Sequence, residues 1–160
     1  MKVSTAGINW VLTAHSPLVV FKRFAARTPG TQGRYAAIAI TVDESDSLFN
    51  FYRDVCSLDD QLLRSFGPTQ QDTGFYQLIN QVLGTTYIAD QLIMRGPVHF
   101  TTTLVFEIPS VVGDDMLAGK AVLKLNCQDR TDMMGGKTQY VRDYATPNVV
   151  VWNPPAPYDQ

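Results

Sequence analysis

No aspartate or glutamate precedes Asp43, so the first stretch of the chain carries charge of one sign only. Cysteine and histidine are nearly as scarce: Cys56, Cys127, His15 and His99 are the whole supply. Two cysteines exclude the disulfide framework of a small secreted domain. Both are expected as reduced core or boundary thiols, with a single bridge left open. So few histidines and cysteines form no cluster with the spacing of a metal site, and no metal or other cofactor is expected. No apolar run approaches the ~18 residues that cross a bilayer as a helix. The opening MKVSTAGINWVLTAHSPLVV is interrupted by Thr13, His15, Ser16 and Pro17, which makes a poor signal peptide. Only 18 % of residues are charged while 45 % are hydrophobic. A surface built on so little charge suits a subunit inside an assembly or a mildly polar monomer.

Chemistry-bearing motifs are missing too. Gly136-Lys137-Thr138 resembles the end of a phosphate loop, but the upstream glycine it needs is Thr131. A hydrolase could be assembled from His99 with Ser110 or Cys127, yet no flanking signature marks a nucleophile. The neighbouring carboxylates Asp59-Asp60 and Asp114-Asp115 read as solvated pairs. The sequence therefore points away from an enzyme and predicts no small-molecule substrate.

What is present is organised. In 160 residues there is room for one domain with its own core, over 1–152, followed by a proline-rich extended tail, 153–160. Leu18 to Phe24 and Tyr35 to Val42 read as strands joined by the turn Thr28-Pro29-Gly30-Thr31-Gln32-Gly33. Leu48, Phe51, Tyr52, Val55, Leu58, Leu62 and Leu63 then recur at spacings of three and four, which predicts a helix ending at Gly67-Pro68. A second helix opens at Asp72 or Thr73, turns Phe75, Leu78, Ile79, Val82 and Leu83 to one side, and stops at Gly84. Strands are expected over His99 to Ile108, Lys120 to Cys127, Gln139 to Tyr144 and Asn148 to Trp152. Pro109 to Gly119 reads as a loop with one helical turn at Asp114 to Leu117. The sum is an α+β fold: a single domain with an antiparallel β-sheet and a two-helix insertion between strands 2 and 3.

Charge supplies the functional clue. Lys2, Lys22, Arg23, Arg27 and Arg34 precede every acid, and all 15 acids follow. The hairpin carrying Lys22, Arg23, Arg27 and Arg34 could meet an anionic surface, whether lipid headgroups or nucleic-acid phosphates. It could instead meet the acids of a second copy, Asp43, Glu44, Asp46, Asp59 and Asp60, in a head-to-tail contact. It could also be a solvated hairpin that serves solubility alone. Phe21, Phe24 and Tyr35 lie beside the cations and are candidates to wedge into a bilayer or stack on bases.

One resemblance follows from the middle of the chain. A strand ending in Thr41-Val42 is followed by Phe49, Tyr52, Asp54 and Val55, then Gly67, then Phe75-Tyr76 and Leu83-Gly84. This order resembles the core of rhabdovirus matrix proteins over residues 41–84. The resemblance implies a non-enzymatic virus structural protein, of matrix or coat type. Such a protein self-assembles and touches the inner membrane face, the nucleocapsid, or both. It would reside in the virion and in the host cytoplasm or at its inner membrane face. The family's Pro-Pro-x-Tyr motif lies near the start of its members. Here the nearest match, Pro154-Pro155-Ala156-Pro157-Tyr158, stands at the other end with one residue more. The alternative is a nucleic-acid-binding protein that uses the same hairpin.

Overall fold

The computed structural model describes residues 2–5, 8–15, 17–30, 33–44, 49–52, 56–60, 64–67, 69, 73–85, 91–94, 98–120, 123–128, 139–144 and 149–160. Along the chain these form β1 (Lys2–Thr5), β2 (Ile8–Ala14), β3 (Leu18–Phe21), β4 (Arg34–Glu44), β5 (Phe49–Tyr52), β6 (Cys56–Asp59), β7 (Ser65–Phe66), α1 (Thr73–Leu83), β8 (Gln91–Met94), β9 (Val98–Ile108), α2 (Ser110–Leu117), β10 (Leu123–Gln128), β11 (Gln139–Tyr144) and β12 (Val149–Val151). Sheets and two helices together make this a mixed α+β fold.

The principal sheet is organised by β4. One edge of β4 pairs antiparallel with β9 along its whole length, from Arg34↔Ile108 to Glu44↔Val98. The opposite edge is shared by two strands. β3 takes the first half through Val19↔Ala37 to Phe21↔Tyr35, and β2 takes the second through Trp10↔Glu44 to Ala14↔Ile40. Outside them lie β1, antiparallel to β2, and β12, parallel to β3. A second sheet runs in the order β11-β10-β6-β7, and β5 pairs with β8.

Period-two alternation then sorts side chains onto two faces. Ala36, Ile38 and Ile40 of β4, with Leu104, Phe106 and Ile108 of β9, pack against Val112 and Met116 of α2 and against β6 and β10. Tyr35, Ala37 and Val105 point the other way, onto Phe75, Tyr76 and Ile79 of α1. Both faces of the β4–β9 pair are thus buried over 35–38 and 104–106, where the strands read YAAI and LVF.

β9 would otherwise expose an unpaired edge. Thr69 N–H donates to the Val105 carbonyl at 2.7 Å, and the Tyr76 hydroxyl donates to the Thr69 carbonyl at 2.9 Å. Nearby, buried Asn80 of α1 accepts from Thr103 N–H through Oδ1 at 3.1 Å, and the Thr85 hydroxyl donates to that same oxygen at 2.7 Å. Asn80→Ala strands a buried donor. It is expected to cost about 1–3 kcal/mol in urea unfolding, with Thr103 N–H exchange accelerated.

Of the expected first helix over 45–66, none of the described residues is helical: they form the strands β5, β6 and β7 and the ends of the β6–β7 turn. Among the described residues between β4 and β9 there is accordingly one helix, α1, and α2 lies beyond β9, so the two-helix insertion is corrected. The reason is visible in β6: Cys56 and Leu58 are buried while Ser57 and Asp59 are half exposed. That is a two-residue period, and β10 lies alongside to satisfy the backbone. The second helix forms where its spacing and caps predict, and Gly84 follows at φ +77°. Pro109 stands at the N-cap of α2, so the expected loop is a helix from Ser110 onward. The opening segment, expected only as a broken apolar run, pairs as a β1–β2 hairpin.

The cysteines also depart from expectation. Cys56 is disulfide-bonded, and among the described residues no cysteine is free. The second cysteine, Cys127, is the direct register partner of Cys56 across β6 and β10. Read as a helix, residue 56 would not sit opposite β10; as a strand, it does. Among the described residues no helix is long and apolar enough to cross a membrane.

Candidate functional site: a cationic groove

The segment leaving β3 turns back at once. Phe24 and Arg27 exchange two backbone hydrogen bonds of 2.9 Å, and between them Ala25 and Ala26 adopt φ +51° and +63°. Two successive left-handed residues make the tight turn favoured by strand twist, usually built from Asn or Gly. The C-terminal tail holds it in place. Ala25 N–H donates to the Tyr158 carbonyl at 3.1 Å, and Ala26 N–H donates to the Gln160 carbonyl. Tyr158 stacks on Phe24 with centroids 5.4 Å apart, while Trp152 meets Phe21 edge-on at 5.0 Å. The proline-rich tail is therefore packed onto the fold through Tyr158, with Trp152 just before it packed on the same aromatic cluster.

This packing creates a groove of about 670 Å³ between the end of β3, helix α2 and the tail. Lys22, Arg23 and Arg34 contribute to it from the hairpin, Asp114 from α2, Trp152 from just after β12, and Asp159 from the tail. A smaller hollow of about 420 Å³ adjoins it over Thr28, Pro29 and Gly30, and Lys22 and Arg34 line both.

The four expected cations divide. Lys22 and Arg23 are exposed. Arg34 is mostly buried and already engaged: its Nη1 donates to Ser110 Oγ at 2.8 Å and to the Gly33 carbonyl at 3.3 Å, and Nη2 lies 3.6 Å from Asp114. It fastens β4 to the start of α2 as well as lining the groove. Arg27 leaves the group, lying over the Phe75 ring at 5.8 Å. Three of the four cations converge.

The aromatic assignments need correction. Phe21, Phe24 and Tyr35 are at most 2 % exposed, packed with Phe75 and α1. The hairpin strand faces core on both sides once α1 and the tail are in place, so these rings cannot wedge into an outside surface. The acids are redistributed as well. The Asp59 carboxylate accepts from Ser57 and Ser65 at 2.9 and 2.7 Å, and Asp60 binds the Arg64 side chain at 2.5 Å. Both secure the β6–β7 turn, which leaves less of their charge for a neighbour than the expected Asp-rich helix would have offered. Asp43 and Glu44 end β4, and Asp46 lies outside the described residues, as does the Gly136-Lys137-Thr138 segment. His99 opens β9 and Ser110 follows its far end, so the strand sets them roughly 30 Å apart. That distance disposes of His99 and Ser110 as a catalytic pair.

No family model, curated protein or solved structure matches this chain. The groove must therefore be read from its own residues. Trp152, Asp114 and Asp159 were not among the sequence candidates. A proline-rich tail carrying Trp and Tyr was the available signal, since an exposed tail has little use for large rings.

Beneath the groove floor, Tyr35 reports on the packing. Burial, reinforced by the Glu107 carboxylate and opposed by Arg27, pushes its phenol up to about 12 from 10. The folded state keeps this proton where the unfolded chain releases it. Tyr35 therefore favours folding fully below pH 10 and progressively less as pH rises from 10 to 12. Tyr35→Phe is expected to flatten the fall of stability over that window, measured by circular dichroism during alkaline titration.

Proposed function

We propose that this chain is a non-enzymatic structural protein of a virus particle, of coat or matrix type. It packs against copies of itself and meets an anionic partner through the groove of Lys22, Arg23 and Arg34. The observation that carries the reading is the convergence of these three cations beside an indole ring in one concave site. Two others support it. β12 ends the principal sheet and exposes Val150 and Val151, with Val111 of α2 exposed on the helix packed beside it. An apolar sheet edge of this kind is suited to burial against another subunit. A disulfide-linked core also fits a particle that leaves the reducing cytosol. Within the stretch that carries the rhabdovirus resemblance, residues 49–52 and 56–59 are strand where a helix was expected, so the proposal rests on the groove and the edge.

The double reversal Lys22→Glu with Arg23→Glu is expected to weaken retention on an anionic matrix at least tenfold at low salt, with the fold unchanged by circular dichroism. Light scattering should show mass rising with concentration. A strict monomer at high concentration removes the assembly half of the proposal, and retention unaffected by the reversal removes the other.

A further inference from the structure

Resting on that reading of the groove, we infer that its anionic partner is a single-stranded nucleic acid, with phosphates on Lys22 and Arg23 and a base against Trp152. The shape of the site makes the first argument. The groove and the second hollow share Lys22 and Arg34, so these two cations border two neighbouring concave sites. Concave sites accept an extended polymer, whereas a bilayer surface cannot follow them inward. Trp152 makes the second argument. Its ring is fixed edge-on to Phe21 at 5.0 Å and stacked with Phe24 at 6.1 Å, yet it still lines the groove. A rigid indole in a positive groove is the platform on which unpaired bases stack, and a duplex keeps its bases inside. The third argument is the pair of carboxylates. Asp114 and Asp159 in the same groove would repel a dense anionic sheet, but they accept hydrogen bonds from base amino groups and ribose hydroxyls. Arg34 is engaged by Ser110 and Asp114, which leaves Lys22 and Arg23 as the two phosphate contacts.

The test uses the full chain carrying Trp10→Phe, so that Trp152 is the sole indole. Titration with a short oligouridylate is expected to quench its fluorescence to saturation. Log affinity should fall with log salt at a slope of about −1.4, and Lys22→Ala or Arg23→Ala should each reduce the slope by about 0.7. A duplex of equal length should compete poorly. If the oligonucleotide fails to bind while phosphatidylserine vesicles bind and are released by Lys22→Glu with Arg23→Glu, the nucleic-acid inference is overturned and the cationic groove stands. Oligonucleotide binding without quenching overturns the stacking assignment, and with it this inference. Binding that survives the double reversal, or the absence of both oligonucleotide and vesicle binding, overturns the groove reading as well. Because the quenching is read from an intact Trp152, the result does not depend on a Trp152 variant that folds.

Discussion

Replacing Cys56 with alanine is expected to lower the stability of the chain by about 4 kcal/mol, a large fraction of what a domain of this size possesses. The bond on Cys56 closes the long loop that runs to β10 and contains α1, β8, β9 and α2. Opening it returns conformational freedom to the unfolded chain over that whole stretch. Cys56 is itself 1 % exposed in the core between the two sheets, so the lost sulfur also leaves a small void. Urea unfolding of the oxidised protein, the reduced protein and Cys56→Ala decides the matter. Reduction and mutation should cost nearly the same, and reductant should do nothing further to the variant. Cys127→Ala should match Cys56→Ala, and the double variant should add little to either, because one cross-link is being removed in every case. Equal stability with and without reductant would show that the β6–β10 pairing needs no covalent tie.

The same region shows where sequence reading fails. Over α1 the local signals agree: Phe75, Ile79 and Val82 share one side, and Gly84 supplies the left-handed stop. Nothing distant is required to make that helix. Between 45 and 66 the apolar spacing also fits a helix, but strands of four and two residues are too short for a two-residue period to stand out. There the decision belongs to β10, which lies far along the chain. The site divides in the same way. Charge alone gathers Lys22, Arg23 and Arg34, and these three line the candidate groove. Arg27 lies over Phe75 instead, carried there by a tight turn of two left-handed alanines that alanine does not announce. The burial of Phe21 and Phe24 depends on Trp152 and Tyr158 at the opposite end of the chain, and no local pattern carries a contact of that range.

Gly33→Ala is expected to cost about 3 kcal/mol and to weaken groove binding as well, because this residue joins the fold to the site. A β-carbon built on Gly33 would stand 2.3 Å from the Ile108 carbonyl oxygen and 3.3 Å from its carbon. Those are backbone atoms at the end of the β4–β9 ladder, where Arg34 pairs with Ile108, so no side-chain rotation relieves the clash. The strands must separate there. Arg34 is the next residue, and its 2.8 Å bond to Ser110 and its contact with Asp114 depend on the spacing between β4 and α2. Moving that junction displaces one cationic wall of the groove. Gly67→Ala is the control: nothing lies within 4 Å of its β-carbon, and its stability should stay within about 0.5 kcal/mol. Thermal unfolding and oligonucleotide or vesicle retention, measured on both variants, separate the two effects. If Gly33→Ala loses stability but binds as before, Arg34 holds α2 without shaping the groove, and the partner's contacts reduce to Lys22, Arg23 and the tail.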